Sequence, residues 1–381
     1  MPPFIKVCGQ SDPAAAACAA ALGARWVGFI FHQGSARCVT PEQAAAIPTS
    51  SVGRVGVFVR QGAGEILEIA RQARLDFIQL HGRQTQQDAQ AIGPQRVVRV
   101  LWPEHCGSPQ ELQRQIDEWA PYCAYYLLDA GSYGQAGGQG RRLDCSAFAA
   151  LRFPHPWLLA GGLHAGNLAE VLSQCSPDGL DLNSGVESAP GVKDPALLRA
   201  AFAAAGMPQV QPQLLPVHPA DLPQMKADMQ QAFQLGYEVS YGPSETLILP
   251  EKDIDYSLGQ SGAVAYKAVV NGIMAGCAIV ALQPEKFTGH LDFLYVKHGL
   301  QGLGIGLALW QMVEARHPEI RRWETCTPYF DRRNIHFYIN LCGFRITEFF
   351  HSRHPMPDAP DDFTADGGDG MFAFLKELPQ G

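Results

Sequence analysis

The 381-residue chain carries 37 acidic against 29 basic side chains and a formal charge of −8 at pH 7, which leaves no basic surface for nucleic acid or anionic membrane. That length predicts two domains with separate cores, and no apolar run reaches the length of a membrane span. Ten cysteines without a CxxC pair suit reduced thiols in a cytoplasmic setting, not disulfides or a zinc site.

The first half alternates short apolar runs with helix-compatible segments. Phe4–Gly9 reads as a buried strand whose last side chain, Cys8, emerges at an open end. Asp12 and Pro13 then begin an alanine-rich helix over about Ala14–Gly23, so this stretch is not a signal-peptide core. The runs are Ile5–Cys8, Gly28–Phe31, Val55–Val59, Phe77–Leu80, Val97–Leu101, Tyr126–Asp129, Trp157–Ala160 and Leu180–Leu182. Continuous rather than alternating hydrophobicity suits parallel strands covered on both faces. Helical segments such as Gly64–Gln72, Pro109–Trp119, Asn167–Ser173 and Pro195–Ala205 fill the gaps. Eight such units predict a compact α/β fold, a (β/α)8 TIM barrel, over residues 1–206, with an open doubly wound sheet as the alternative.

In a barrel the C-terminal strand ends surround one mouth. Those ends carry Cys8, Arg37, His81, Asp129, Gly161, Gly162, Ser184 and Gly185. Strands one and six lie three steps apart around the ring, so Cys8 and Asp129 face each other as an acid–base pair across one small substrate. Gly161-Gly162 and Ser184-Gly185 let backbone N–H groups approach a phosphate, and Arg37 offers a fork for a second anion. The glycine-rich stretch Gly131–Gly140 is a loop able to close over a ligand.

These segments resemble phosphoribosylanthranilate isomerase, the (β/α)8 enzyme of tryptophan biosynthesis. The resemblance is carried by Lys6–Gly9, Gly28–Phe31 with Ser35–Arg37, Gln79–Gly82, Leu128–Ala130, Gly137–Gly140, Leu159–Leu163 and Asp181–Glu187 followed by Gly191–Asp194. It implies an Amadori rearrangement without a cofactor. Asp129 would be the general acid that opens the ring, and Cys8 the base that removes the C2′ proton. Arg37 would hold the anthranilate carboxylate and Asp181 the sugar, with phosphate at Gly161, Gly162, Ser184 and Gly185. Such roles require a protonated Asp129 and a thiolate at Cys8, which needs a positive neighbour. Gln139 stands where the family has threonine. A broader sugar isomerase would want carboxylates on both strands, and Cys8 argues against it.

Residues 206–216, rich in Pro and Gln, read as a linker or the start of a new strand, and the second domain is taken as 207–381. It should be α+β on an antiparallel-leaning sheet. Helices are expected at Ala220–Leu235 and Glu251–Leu258, then a hairpin of Val264–Val270 and Ile273–Leu282 about the Asn271-Gly272 turn. A strand at His290–Lys297 leads through Gln301, Gly302, Gly304 and Gly306 into a helix ending near Arg316. A strand at Arg322–Thr327, a helix at Arg333–Leu341 and strands at Phe344–Phe350 and Met371–Lys376 follow. The glycine turn lacks the features of a dinucleotide fingerprint or P-loop, but its N–H groups at a helix start suit a pyrophosphate.

This pattern, with Asn334 through Phe344 downstream, resembles the GNAT-type N-acetyltransferases. That implies acetyl-CoA as co-substrate, gripped by backbone at Leu294–Val296, by the loop Gln301, Gly302, Gly304 and Gly306, and by Asn334. Tyr338 would protonate the departing CoA thiolate. Asp292 and Glu324 are the strand carboxylates available as a base for an unspecified amine. The alternative is a non-catalytic acetyl-CoA-binding or packing module. The histidines of Phe350–His354 and the acidic tract Asp358–Asp369 read as loops, with no metal site. Only small-molecule partners are expected, and nothing fixes an oligomeric state.

Overall fold

Eight apolar runs become parallel strands: β1 (Phe4–Val7), β2 (Trp26–Ile30), β3 (Gly53–Phe58), β4 (Phe77–Leu80), β5 (Val97–Leu101), β6 (Tyr125–Asp129), β7 (Trp157–Ala160) and β8 (Gly179–Leu182). This computed structural model describes residues 2–49, 52–129, 145, 148, 150–356 and 370–378, so Gly131–Gly140, Gln139 and Asp358–Asp369 lie outside the described residues. Each strand pairs with the next, and β8 pairs with β1 in a register that sets Lys6 beside Asp181, closing the barrel. Helices α1 (Pro13–Ala21), α2 (Pro41–Ala46), α3 (Ala63–Gln72), α4 (Gln86–Ile92), α5 (Pro109–Trp119), α6 (Ala165–Gln174) and α7 (Pro195–Ala204) cover it. Asp12, Thr40, Thr85, Ser108 and Asp194 cap five of these with side-chain oxygens, which satisfies first-turn N–H groups that the helix itself cannot.

One end of the barrel is plugged and the other is chemical. Trp26 meets Phe4, Phe77 and Tyr125 with ring centroids 4.7–5.0 Å apart, an aromatic layer at the strand starts. Polar residues therefore collect at the strand ends, where the β8 loop adds a hairpin, β9 (Glu187–Ala189) and β10 (Val192–Lys193).

The chain divides into compact units Met1–Val210 and Gln211–Gly381. The second holds β11 (Gln213–Pro216), α8 (Leu222–Tyr241), α9 (Glu251–Gly259), β12 (Ala263–Val270), β13 (Ile273–Gln283), β14 (Thr288–Val296), α10 (Ile305–Arg316), β15 (Arg322–Pro328), α11 (Arg332–His336), β16 (Arg345–Phe350) and β17 (Met371–Glu377). The sheet order is β11-β12-β13-β14-β15-β17-β16, antiparallel except between β14 and β15. Asn271 and Gly272 both have positive φ, as a type I′ hairpin turn requires. Three sequence boundaries shift. The Pro/Gln-rich joint contributes an edge strand, β11. Helix α8 runs on to Tyr241. The expected helix Arg333–Leu341 is α11 followed by a π-helical turn, Phe337–Leu341.

Candidate active sites

Cys8 lies one residue beyond β1, with its N–H donating to the Leu182 carbonyl at 2.8 Å. Gly28 makes room for it: a Cβ there would fall 2.8 Å from the Cys8 sulfur. Beneath the thiol is Lys6, fully buried. Its ammonium donates to Asp181 Oδ2 and Gln79 Oε1, both at 2.8 Å. Lysine has donors only, so Gln79 presents its oxygen to Lys6 and its Nε2 donates to His81 Nδ1 at 3.2 Å. That leaves the His81 proton on Nε2, which faces Asp129 Oδ2 at 3.7 Å. One polar chain thus runs Asp181, Lys6, Gln79, His81, Asp129 across the mouth.

Burial dominates the electrostatics of this chain. It pulls His81 down to about 4, helped by Lys6, so the ring is neutral at ordinary pH. It lifts Asp181 above the usual carboxylate range despite the Lys6 ammonium, and Asp129 adds to the rise. Lys6 is itself pulled down by burial, but Asp181 and Cys8 outweigh that and keep it a cation. The Cys8 thiol is pushed above 9.0 by burial, against the pull of Lys6 and Lys193. The positive neighbour that the base needs is present, yet in the empty site desolvation wins.

Arg37 is less available than its sequence position suggests. Its Nε and Nη2 are committed to Glu187 at 2.6–3.2 Å, and Glu187 also accepts from Lys193 at 2.6 Å. Lys193 in turn donates to the Asn183 carbonyl and Oδ1 at 3.0 and 2.9 Å. The β9–β10 hairpin therefore holds Arg37 in place. The two glycine loops touch: a Cβ at Gly185 would lie 2.1 Å from the Leu163 carbonyl oxygen. Gly161 and Gly162 have φ of +103° and +62°, and Ser184 opens a single 3-10 turn to Val186. Sequence reading placed Gln79 at the rim without a role and missed Lys6, Glu187 and Lys193 as site residues. A lysine inside the apolar run Phe4–Val7 was the available signal, since lysine is almost never fully buried unless paired.

In the second unit, β14 and β15 pair only from Thr288–Arg322 to Leu291–Thr325. Asp292 is the extra residue where β14 shifts register against β13, and beyond it Leu294 to Val296 have no ladder partner on the β15 side. Gly302 and Gly304, at φ +79° and +78°, turn the chain into α10. A Cβ at either meets nothing within 4 Å, so backbone conformation alone demands glycine there. At Gly306 a Cβ would crowd Val296 at 3.2 Å and Phe337 at 3.5 Å. Gln301 does not point outward. Its Nε2 donates to the Val296 carbonyl at 3.2 Å and its Oε1 accepts from the Gly299 N–H at 2.9 Å, which braces the loop.

Tyr338 is 6% exposed, packed against Phe337, Phe344 and Phe374. Burial raises its hydroxyl's pKa, against a smaller lowering by Thr325 at the last paired rung. The Asn334 N–H is taken by the Asp331 carboxylate at 2.9 Å. Of the two carboxylates, Glu324 forms an exposed pair with Arg322 at 2.7 Å. Asp292 meets His290 Nδ1 at 2.5 Å and accepts from the Ser257 hydroxyl. Burial pulls His290 down, but Asp292 and Cys326 outweigh it and hold the imidazole at about 9.

Residues 5–204 match the family described as N-(5′phosphoribosyl)anthranilate (PRA) isomerase, and residues 226–344 the acetyltransferase (GNAT) family. An N-(5′-phosphoribosyl)anthranilate isomerase of Desulfovibrio desulfuricans is 53% identical over 202 residues, spanning 53% of this chain and 95% of that protein. One from Maridesulfovibrio salexigens is 46% identical over 203 residues, covering 53% and 98%. A further similar protein is the uncharacterized YrkN of Bacillus subtilis, 36% identical over 163 residues, covering 41% and 88%.

Proposed function

The chain belongs to the N-(5′-phosphoribosyl)anthranilate isomerase family, and from that premise we propose that its barrel converts N-(5′-phosphoribosyl)anthranilate to 1-(2-carboxyphenylamino)-1-deoxyribulose 5-phosphate. Asp129 protonates the ring oxygen, the ring C–O bond breaks, and a protonated Schiff base forms. Cys8, as thiolate, then takes the C2′ proton to give an enolamine, which becomes the C2′ ketone as C1′ gains a proton and the enol hydroxyl loses one. The observation that supports this reading is the polar chain at the mouth, hydrogen-bonded from Asp181 through the buried Lys6 and Gln79 to His81, with the Asp129 carboxyl 3.7 Å beyond the ring. The unpartnered Asp181 Oδ1 is an acceptor for a sugar hydroxyl. Arg37 takes the anthranilate carboxylate, and the Gly161-Gly162 and Ser184-Gly185 loops take the phosphate. Cys8→Ser and Asp129→Asn tested on phosphoribosylanthranilate should each lose turnover. Full activity in either variant overturns the assignment of that residue.

The GNAT domain takes acetyl-CoA along the unpaired stretch of β14, with the pyrophosphate at the start of α10, and passes the acetyl group to an amine. Tyr338 stands near the vertex of the two diverging strands, where the CoA thiolate departs. The burial of Tyr338 among Phe337, Phe344 and Phe374 equally favours a second reading, a non-catalytic acetyl-CoA-binding module in which Tyr338 only packs. Calorimetry with acetyl-CoA on the full chain, with Gly304→Glu as control, tests the common ground of both. Thiol release with a panel of primary amines, repeated for Tyr338→Phe, separates them.

A further inference from the structure

Nothing in an acid–base pair explains why a lysine is fully buried beneath the base and tied to a carboxylate. Lys6 and Cys8 are two apart on β1, so both side chains point to the barrel interior. Lys6 Nζ lies 2.8 Å from Asp181 Oδ2, and its charge pulls the Cys8 thiol down against the effect of burial. The same Gly28 Cβ position that approaches the Cys8 sulfur at 2.8 Å lies 3.2 Å from Lys6 Cε, so the two side chains share one packing site. The ammonium therefore donates to a carboxylate and an amide while its charge also acts on the thiol. The other charged groups facing Cys8 are Lys193 on β10 and Arg37 after β2. Both share the single carboxylate of Glu187, so a net positive charge remains there and Lys193 adds to the pull of Lys6 on the thiol. His81, one residue beyond β4, is a neutral ring facing Asp129 on β6, and Arg99 on β5 acts on His81.

We propose that Lys6 is a positioning residue that holds Cys8 as the thiolate, and that Asp181 is its counterweight, releasing the cation to the sulfur when substrate engages the carboxylate. In the resting site Asp181 takes much of the Lys6 charge and the thiol keeps its proton. A sugar hydroxyl donating to Asp181 Oδ1, the buried oxygen without a partner, draws negative charge off the carboxylate. Lys6 then interacts more strongly with sulfur, and the base forms when substrate is present to use it. The inference rests on the reading of Cys8 as the base.

The distinguishing consequence is a pair of opposite shifts. Thiolate formation is followed by ultraviolet absorbance, each protein being titrated against the same protein carrying Cys8→Ser. Lys6→Met should raise the Cys8 pKa by about one to three units, the range for losing an adjacent opposite charge. Asp181→Asn should lower it, although turnover falls because the sugar contact weakens. Lys6→Arg should return most of the Lys6→Met shift. The acid limb of kcat/KM for isomerisation should move with the titration in Lys6→Met and Lys6→Arg. Shifts of the same sign in Lys6→Met and Asp181→Asn, or no shift in either, overturn the proposal. Should Lys6→Met not fold, Asp181→Asn alone decides, since a raised or unchanged value there is fatal to the counterweight. Full turnover by Cys8→Ser would instead sink the base assignment and leave the thiol titration standing.

Discussion

The barrel mouth and the second unit's open strand pair are sites built from different materials. The first consists of side chains that are buried, charged and already bonded to one another before any ligand arrives. The second consists mainly of backbone: an unpaired stretch of β14, two glycines in the left-handed region, and the first turn of α10. A side-chain site concentrates its function in single atoms and feels pH through every partner. A backbone site has no titrating group of its own and is indifferent to most substitutions, provided that φ and close approach are preserved.

The largest expected contrast comes from deleting the barrel's reacting groups. Cys8→Ala or Asp129→Asn should cut isomerisation by about 10²- to 10⁴-fold, the usual worth of a positioned acid or base, with acetyl-CoA affinity unchanged by calorimetry. The converse is Gly304→Val. Its φ of +78° makes a β-branched residue strained by about 1–2 kcal/mol, so acetyl-CoA binding should weaken by roughly tenfold while isomerisation is untouched. If either substitution impairs both activities, the separation fails.

Acidity sharpens the contrast. With Cys8 in its proposed role as base, and burial lifting its pKa above the ordinary thiol value, kcat/KM for isomerisation should climb with pH through the neutral range, whereas acetyl-CoA affinity should stay flat there. His81 adds a stability effect. Its folded value near 4 is below the ordinary 6.5, so its unfolded form binds the extra proton first. Its contribution is complete above about 6.5 and shrinks as pH falls toward 4. The barrel's melting temperature should therefore fall over that window, and less so in His81→Gln. The smallest effect belongs to Tyr338→Phe, which removes only a hydroxyl from a buried aromatic cluster and should shift Tm by a few degrees at most with acetyl-CoA binding retained.

The same difference in materials governed what could be read from the sequence. Barrel strands announced themselves as continuous apolar runs, and the glycines of both sites were visible because only glycine suits their backbone. Partners were not. Lys6 reaches Gln79 and Asp181 across sequence separations of 73 and 175 residues, and no local pattern encodes such a pairing. The commitment of Arg37 to Glu187 was hidden for the same reason. The joint stayed open between a linker and a new strand because Pro212 and Pro216 bracket only two apolar residues, which suffices for the edge strand β11 but also suits a linker. The π-helical turn at Phe337–Leu341 preserves a helical pattern and so is invisible to periodicity.

The ion pair between Lys6 and Asp181 also joins the first strand of the barrel to the last. Until β8 has been synthesised, Lys6 has no carboxylate, and a half-built barrel that closed early would bury an uncompensated cation, a strongly destabilising state. Premature collapse around β1 is thereby disfavoured on the ribosome. The order of events is set by chemistry: the chain must reach residue 181 before its sixth residue can safely leave water.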